Sequence, residues 1–597
     1  KAPDSLDATD DGKVTFTDAA TVSMAWADAR VAGGSCSDPT GNDVNGDGCV
    51  DVSDLQLVAA TANAPTTLAG PAVLAAAAGV QFVVNTTSDA SDSALGNGVC
   101  ATSAGTCSLR AALQEANRIT GPNSIAFNIP GTGVHTIQLA SQLNISDSSG
   151  GVTIDGYTQP GSAPNTAARA SNAKIMIEIR GNGTSTAIGT FDAIRIVSAN
   201  NVIRGVSIYN ALDQIEMFGA SANNNTIVGN YLGTNAAATF TSILSPNSSG
   251  MGIHLESGSH NNVFGTPALA DRNVFDGAPL EGIRIDHENS DSNVIQNNIF
   301  GLTPNGLGKL PNRRTGIDLQ FGASHNLIGG LGAREGNVIS GHPFIGVDLS
   351  HTTSTSNNEV VGNFIGTNLT GDAVTSYTKT FYGLAFKDDV ANNNVHDNVI
   401  GGATEYAIWH RDDYTGHNTI ANNLIGVARN GAALPNAKYG MYMVGHDFTV
   451  RNNVFANSAS GGIFLTSAVS DHNEFTGNTF KHNGGLAIDL APTGPTANDA
   501  GDADSGPNQN LNYPVLTSAS TTAVKGRACA GCRVEVYRSA VDTGNRGEGN
   551  KLVGTATAAA DGSFSAAVSG LVAGDHVAAI AIDPTHNTSE FSPVRTV

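Results

Sequence analysis

Val395-His-Asp-Asn398-Val-Ile400 is one copy of a pattern that returns along the chain: a β-branched or aromatic residue, two loose positions, Asn, one more residue, then Ile, Leu or Phe. It recurs as Ile227-Val-Gly-Asn230, Ile295-Gln-Asn-Asn298, Val360-Val-Gly-Asn363, Ile420-Ala-Asn-Asn423, Val450-Arg-Asn-Asn453 and Phe475-Thr-Gly-Asn478, with Asn273 and Asn337 on the same rung after short insertions. The nine asparagines are separated by 43, 25, 39, 26, 35, 25, 30 and 25 residues, so a unit of 25 keeps returning. A fixed period of this size means stacked units that bury their apolar faces only against their neighbours.

The shortest unit, Gly440 to Gly462, holds three short runs of alternating apolar and polar residues and no segment long enough for an amphipathic helix. Three strands per turn, each stacked on its equivalent one turn later, predict a right-handed parallel β-helix. Leucine-rich repeats have similar lengths, but their Leu-x-x-Leu-x-Leu consensus is missing. Asn suits the corner because it tolerates left-handed backbone angles and its amide bonds to the Asn above and below. Longer units carry their surplus after the Asn strand, as at 301–308, 366–371 and 426–431. That predicts insertions on one side of the solenoid, often the binding side.

Composition agrees. Seventy glycines and 6% aromatics suit tight corners and small, regular side chains. The balance of 52 acidic against 30 basic residues, a net charge of −22, argues against nucleic-acid or anionic-membrane partners and fits an extracellular, cation-rich setting. No apolar run approaches the roughly 18 residues of a membrane span. A secretory leader is expected to have been removed.

The six cysteines form near neighbours, Cys36/Cys49, Cys100/Cys107 and Cys529/Cys532, which predicts three local disulfides and an oxidising compartment. Half a zinc site or a redox motif at 529–532 is the competing reading, but no second Cys or His pair accompanies it. A β-helix has two open ends that need caps. Residues 108–117 predict an amphipathic helix, capped by Ser108, as the N-terminal lid. Asp499 to Pro514 reads as an acidic Gly/Pro-rich link, and 515–597 as short antiparallel strands forming a small β-sandwich. The expected organisation is a calcium-binding module over 1–65, a linker over 66–80, the β-helix over 81–514 and the sandwich over 515–597.

Asp43, Asn45, Asp47, Asp51 and Asp54 occupy positions 1, 3, 5, 9 and 12 of a calcium loop, with Gly48 at 6 and the Cys49 carbonyl at 7. A weaker copy uses Asp7, Thr9, Asp11, the Lys13 carbonyl and Asp18. Each loop leads into a helix, expected at 18–31 and 53–64. Asp rather than Glu at position 12, in a loop-helix unit repeated twice, resembles a dockerin module. That resemblance implies two bound Ca2+ ions and a cohesin partner.

Two further stretches carry resemblances. Phe82-Val-Val-Asn-Thr-Thr-Ser-Asp-Ala, with Cys107-Ser-Leu-Arg-Ala-Ala-Leu-Gln-Glu-Ala-Asn, is similar to the CSLREA region of bacterial surface-exposed β-helix proteins, departing at one motif position. The tail Asn587-Thr-Ser-Glu-Phe-Ser-Pro593 resembles the closing strand of bacterial Ig-like modules. These imply fold and secretion, and no catalytic motif comes with them.

The Gly-[Ile/Val]-x-[Ile/Leu] strands can be laid over one another. Their x column reads His254, Arg284, Asp318, Asp348, Ala385, Trp409, Tyr442, Phe464 and Asp489, and two residues further on come Glu256, Asp286, Gln320, Ser350, Lys387 and Arg411. Alternation turns the intervening Ile and Leu inward, so both columns are expected to face solvent. As a polysaccharide groove, Trp409, Tyr442 and Phe464 would stack sugar rings, Asp318 and Asp348 would act as acid and base, and Arg284, Lys387 or Arg411 would serve a lyase. Alternatively the carboxylates are merely ion-paired with Arg284 and the aromatics are an ordinary β-stack. Asp388/Asp389 and Asp412/Asp413 resemble the paired Asp of polygalacturonases, whose Gly-His-Gly is absent. His260, His325, His351 and His417 read as corner hydrogen-bonders.

Three functions follow: a secreted, calcium-binding structural or adhesive protein of the cell surface or extracellular matrix, with self-association into filaments as one form of it; a secreted polysaccharide lyase or glycoside hydrolase; and a non-catalytic carbohydrate-binding adhesin. Repeats, caps and calcium loops demand architecture and no spacing demands chemistry, which favours the first.

Overall fold

The structure, a computed structural model, describes residues 79–597 except 241–248, 353, 413–415 and 542–545. The two calcium loops, with ligands Asp7 to Asp18 and Asp43 to Asp54, and the Cys36/Cys49 pair lie outside the described residues. Residues 77–597 form one compact unit.

Its backbone is a right-handed parallel β-helix of three sheets. Sheet 1 has thirteen strands, from Gln81–Val84 to Glu474–Thr476; sheet 2 has twelve, from Leu143–Ile145 to Ile488–Leu490; sheet 3 has twelve, from His135–Gln138 to Thr479–Lys481. Each turn runs through sheet 1, an Asn corner, sheet 3, a loop and sheet 2. The inward residues, such as Ile317, Leu319, Val347, Leu349, Phe300 and Phe455, form one continuous buried core.

All nine asparagines stand in one file. Each but the last donates its backbone N–H to the Oδ1 of the Asn on the next rung, from Asn230 to Asn273 at 2.9 Å through Asn453 to Asn478 at 2.9 Å. Where strands cannot continue, these amides satisfy the corner's backbone groups. A second file of the same kind holds the sheet 2 to sheet 1 corner: Asn201, Asn225, Asn262, Asn293, Asn326, Asn358, Asn393 and Asn418. The residue before each ladder Asn here is left-handed, for example Asn224 (φ 55°), His325 (φ 55°) and His417 (φ 60°), which explains two of the four corner histidines.

Both ends are closed. At the start, the helix Leu109–Ala116 buries Leu109 and Leu113 on the first rungs, and the Ser108 hydroxyl accepts from Ala111 N at 3.0 Å. At the far end, residues 515–597 build a three-stranded and a four-stranded antiparallel sheet around a shared core of Val524, Val534, Phe564 and Val577. The other face of the four-stranded sheet, with Tyr537, Ile580 and Ile582, merges with the solenoid core. Gly477 N donates to Glu535 at 2.9 Å and Phe475 N to the Thr588 hydroxyl at 2.8 Å, satisfying the last open strand edge. The Gly/Pro-rich stretch takes part as well: Asn508 accepts from Asn473 N at 3.1 Å, adding a rung to the second file. Disulfides join Cys100 to Cys107 and Cys529 to Cys532.

The long insertions sit on one side, over sheet 3, and much of their apolar surface packs down onto the sheet. Leu302, Leu310, Leu369, Ala428 and Leu434 pack onto the outward Tyr231, Val274, Ile299, Phe364 and Val399, giving sheet 3 a second apolar layer.

Candidate functional site

The x column is real. His254 pairs with Arg284, then Asp318, Asp348, Ala385, Trp409, Tyr442, Phe464 and Asp489 on successive rungs of sheet 2. Upstream it continues through Arg195 and Glu216. A second set of side chains, three residues before x, completes the face. Each reaches diagonally to the x residue of the next rung: Asp192 to Glu216, Asp213 to His254, Glu281 to Asp318, Tyr382 to Trp409, Tyr406 to Tyr442, and Tyr439 to Phe464. Sequence reasoning missed this set. The available signal was an acidic or aromatic residue at a constant offset ahead of six of the strands: Asp192, Asp213, Glu281, Tyr382, Tyr406 and Tyr439.

The first half of the face is ionic. Asp213 and Asp286 lie 3.1 and 3.3 Å from the two nitrogens of His254. Burial opposes the imidazolium, yet the two carboxylates outweigh it and hold His254 up at about 10. Glu216 is pushed up to about 8 by burial and by the neighbouring Asp192 carboxyl. Further along, Arg284 donates to both Glu281 oxygens at 2.7 and 2.9 Å, and Lys387 is ion-paired with Asp348. Burial, then Asp318, raises Glu281 to about 7; burial, then Asp348, raises Asp318 to about 6.

The expectation that these columns face solvent fails here. Asp318 is 1% exposed, Asp348 0% and Lys387 3%. They point away from the solenoid core but are not presented to solvent: Lys387 is ion-paired with Asp348, and Arg284 and Arg314 both pair with Glu281 beside Asp318. Arg284 is bound principally to Glu281, not free to serve as a base. Arg411 is half-exposed but held by Asp412 at 2.7 Å and by Asp388.

The second half is aromatic. Tyr382 stacks on Trp409 at 4.3 Å, Tyr406 on Tyr442 at 4.5 Å and Tyr439 on Phe464 at 4.9 Å, with interplanar angles of 20°, 13° and 20°. Phe344 and Phe381 extend the array. One face of each of Trp409, Tyr442 and Phe464 is therefore taken by a tyrosine, which leaves less ring surface for a sugar than the sequence suggested.

A separate acidic group, Asp499, Asp502 and Asp504, has carboxylate oxygens within 4.8 Å of one another in the loop before the C-terminal sheets. No helix among the described residues is long and apolar enough to cross a membrane.

No curated protein matches the chain. Among solved structures, it is similar to the Dettilon tailspike protein gp208 at 11% identity and a TM-score of 0.36, covering 80% of this chain and 88% of that one. The periplasmic alginate epimerase AlgG aligns at 11% identity and a TM-score of 0.32, over 63% and 75%. Geobacillus virus E2 ORF18 aligns at 12% identity and a TM-score of 0.22, over 81% and 70%. Residues 5–63 match the dockerin type I domain family, so the chain carries a dockerin type I domain ahead of its β-helix.

Proposed function

We propose that this is a secreted, non-catalytic β-helix protein of the cell surface or extracellular matrix, held in place by calcium-dependent docking of its N-terminal domain on a cohesin-like partner. Asp43, Asn45, Asp47, Asp51 and Asp54, with Asp7, Thr9, Asp11 and Asp18 and the carbonyls of Cys49 and Lys13, would hold the two Ca2+ ions. The observation that carries the non-catalytic reading is the burial of Asp318 and Asp348, 1% and 0% exposed. A general acid must touch its substrate, and these are sealed. The capped ends disfavour strand-to-strand growth into filaments, so self-association would use the flanks of the rod or the terminal domains.

An adhesive role has its own support in the aromatic half of sheet 2, where Trp409, Tyr442 and Phe464 remain partly exposed beside Arg411. The test is a screen of acidic and neutral polysaccharides, read as unsaturated uronates and new reducing ends, alongside binding to immobilised cohesins with and without chelator. Product release that disappears in Asp318→Asn would overturn the proposal and restore the lyase or hydrolase reading.

A further inference from the structure

The chain carries 30 basic against 52 acidic residues, yet four arginines from four different turns gather without a carboxylate at one place on the outside of sheet 3. Arg272 is 4% exposed, and burial together with the charges of Arg169 and Arg334 lowers it to about 10. Its guanidinium is spent on structure, donating to the carbonyls of Ala167, Ala168 and Ala170 and to Asn297. Arg169 and Arg429 are exposed and approach the Phe364 ring, at 5.9 and 5.6 Å from its centroid. Arg334 is exposed and bonded only to the Pro267 carbonyl, at 2.7 Å.

Among the described residues, no carboxylate pairs with any of the four. The two nearest in sequence are turned into their own loops: Asp271 accepts from the Thr266 hydroxyl at 2.6 Å, and Glu335 from Gly332 N at 2.6 Å. A notch of about 20 Å³ lies among Arg169, Arg272, Arg334, Phe364 and Leu369. That is room for one water-sized group, such as a single oxygen of a larger anion.

Like charges brought together at a low-dielectric edge repel, and the repulsion is relieved by an anion. Guanidinium forks match planar or tetrahedral oxyanions better than any other group. We infer that this arginine cluster is an oxyanion-binding site that takes the carboxylate or sulfate groups of an acidic glycan. The net charge of −22 repels densely charged polyanions such as nucleic acid at long range, which favours a chain whose anionic groups are widely spaced. The site is independent of the sheet 2 face and of the dockerin domain.

The test uses the full chain and isothermal titration at low salt with trigalacturonate, a sulfated trisaccharide, a neutral trisaccharide and inorganic sulfate. Binding of the carboxylated or the sulfated sugar, but not the neutral one, is expected to weaken at least tenfold in Arg169→Ala/Arg334→Ala. Arg169→Lys/Arg334→Lys should recover only part of it, since charge returns without the fork. Whichever anionic sugar binds identifies the group. Arg272 is left intact because its loss would release the 165–172 loop. The inference is overturned if neither anionic sugar binds, if the neutral sugar binds as well as they do, or if the folded double-alanine variant binds unchanged.

Discussion

Replacing Asn363 with alanine tests the physical basis of the fold. The Asn363 amide donates to the Ile328 carbonyl at 2.9 Å, the Val361 carbonyl at 3.0 Å and Asn398 Oδ1 at 3.0 Å; its Oδ1 accepts from Asn337 N at 3.0 Å and Asn337 Nδ2 at 2.9 Å. The residue is fully buried, so water cannot substitute. Alanine strands the Asn337 N–H and the Ile328 carbonyl, each costing about 1–3 kcal/mol, and forfeits the remaining bonds at about 1 kcal/mol apiece. The expected loss is about 5–9 kcal/mol, against under about 1 kcal/mol for Asn430→Ala, an exposed turn residue whose side chain is bonded only to Ala432 N. Because each rung contacts only its neighbours, the damage should be local. Hydrogen exchange by mass spectrometry should show the strands Leu327–Gly329, Val338–Ile339 and Phe364–Ile365 losing about four decades of protection or more, with the first and last rungs little changed. If the two variants differ by less than about 1 kcal/mol in denaturant unfolding and flanking protection is unaltered, the amide file is decoration and the argument from periodicity to structure fails.

Glu281 and Asp318 are raised to about 7 and about 6, so the folded protein holds protons that the unfolded chain has already released. The stability from this pair is fully present below the ordinary carboxylate range and lost as pH rises through 6 to 7, on the order of 3 kcal/mol. Denaturation midpoints should therefore fall between pH 5 and 8, and Asp318→Asn should flatten that slope. Lys387→Met leaves the Asp348 carboxylate buried without its cation and should cost about 3–5 kcal/mol at pH 8 by chemical denaturation, less at pH 5. Glu535→Ala removes the acceptor of Gly477 N and the Tyr537 hydroxyl, and should speed exchange in Glu474–Thr476 without affecting the first rungs. Calcium chelation should abolish cohesin binding, measured by calorimetry, while the far-ultraviolet dichroism of the solenoid is retained.

The sheet 2 register was legible because a strict repeat fixes which residue lies over which, so Asp318 over Asp348 and Trp409 over Tyr442 follow from spacing alone. What lies above a side chain is not periodic. Lys387 reaches Asp348 from a neighbouring rung, and Arg314 approaches from a loop, so alternation gave the direction of the carboxylates and missed their burial. The diagonal tyrosines escaped notice because they sit just ahead of the strand consensus. The second Asn file was hidden for a related reason: its asparagines follow a left-handed Asn, Ser or His, and these doublets resemble ordinary polar turns. The arginine cluster gathers side chains from positions 169 to 429, a separation that no local pattern encodes.

The two lids share no sequence with the repeat and contact only its terminal turns. Whole turns can therefore be gained or lost between them, much as leaves are added to a table, and about 4.8 Å of length comes with each. Thirteen strands set a span of roughly 58 Å in this protein. Duplicating Gly440 to Gly461, one complete turn, would lengthen that reach by one step while carrying another tyrosine-bearing strand onto the ringed half of the face.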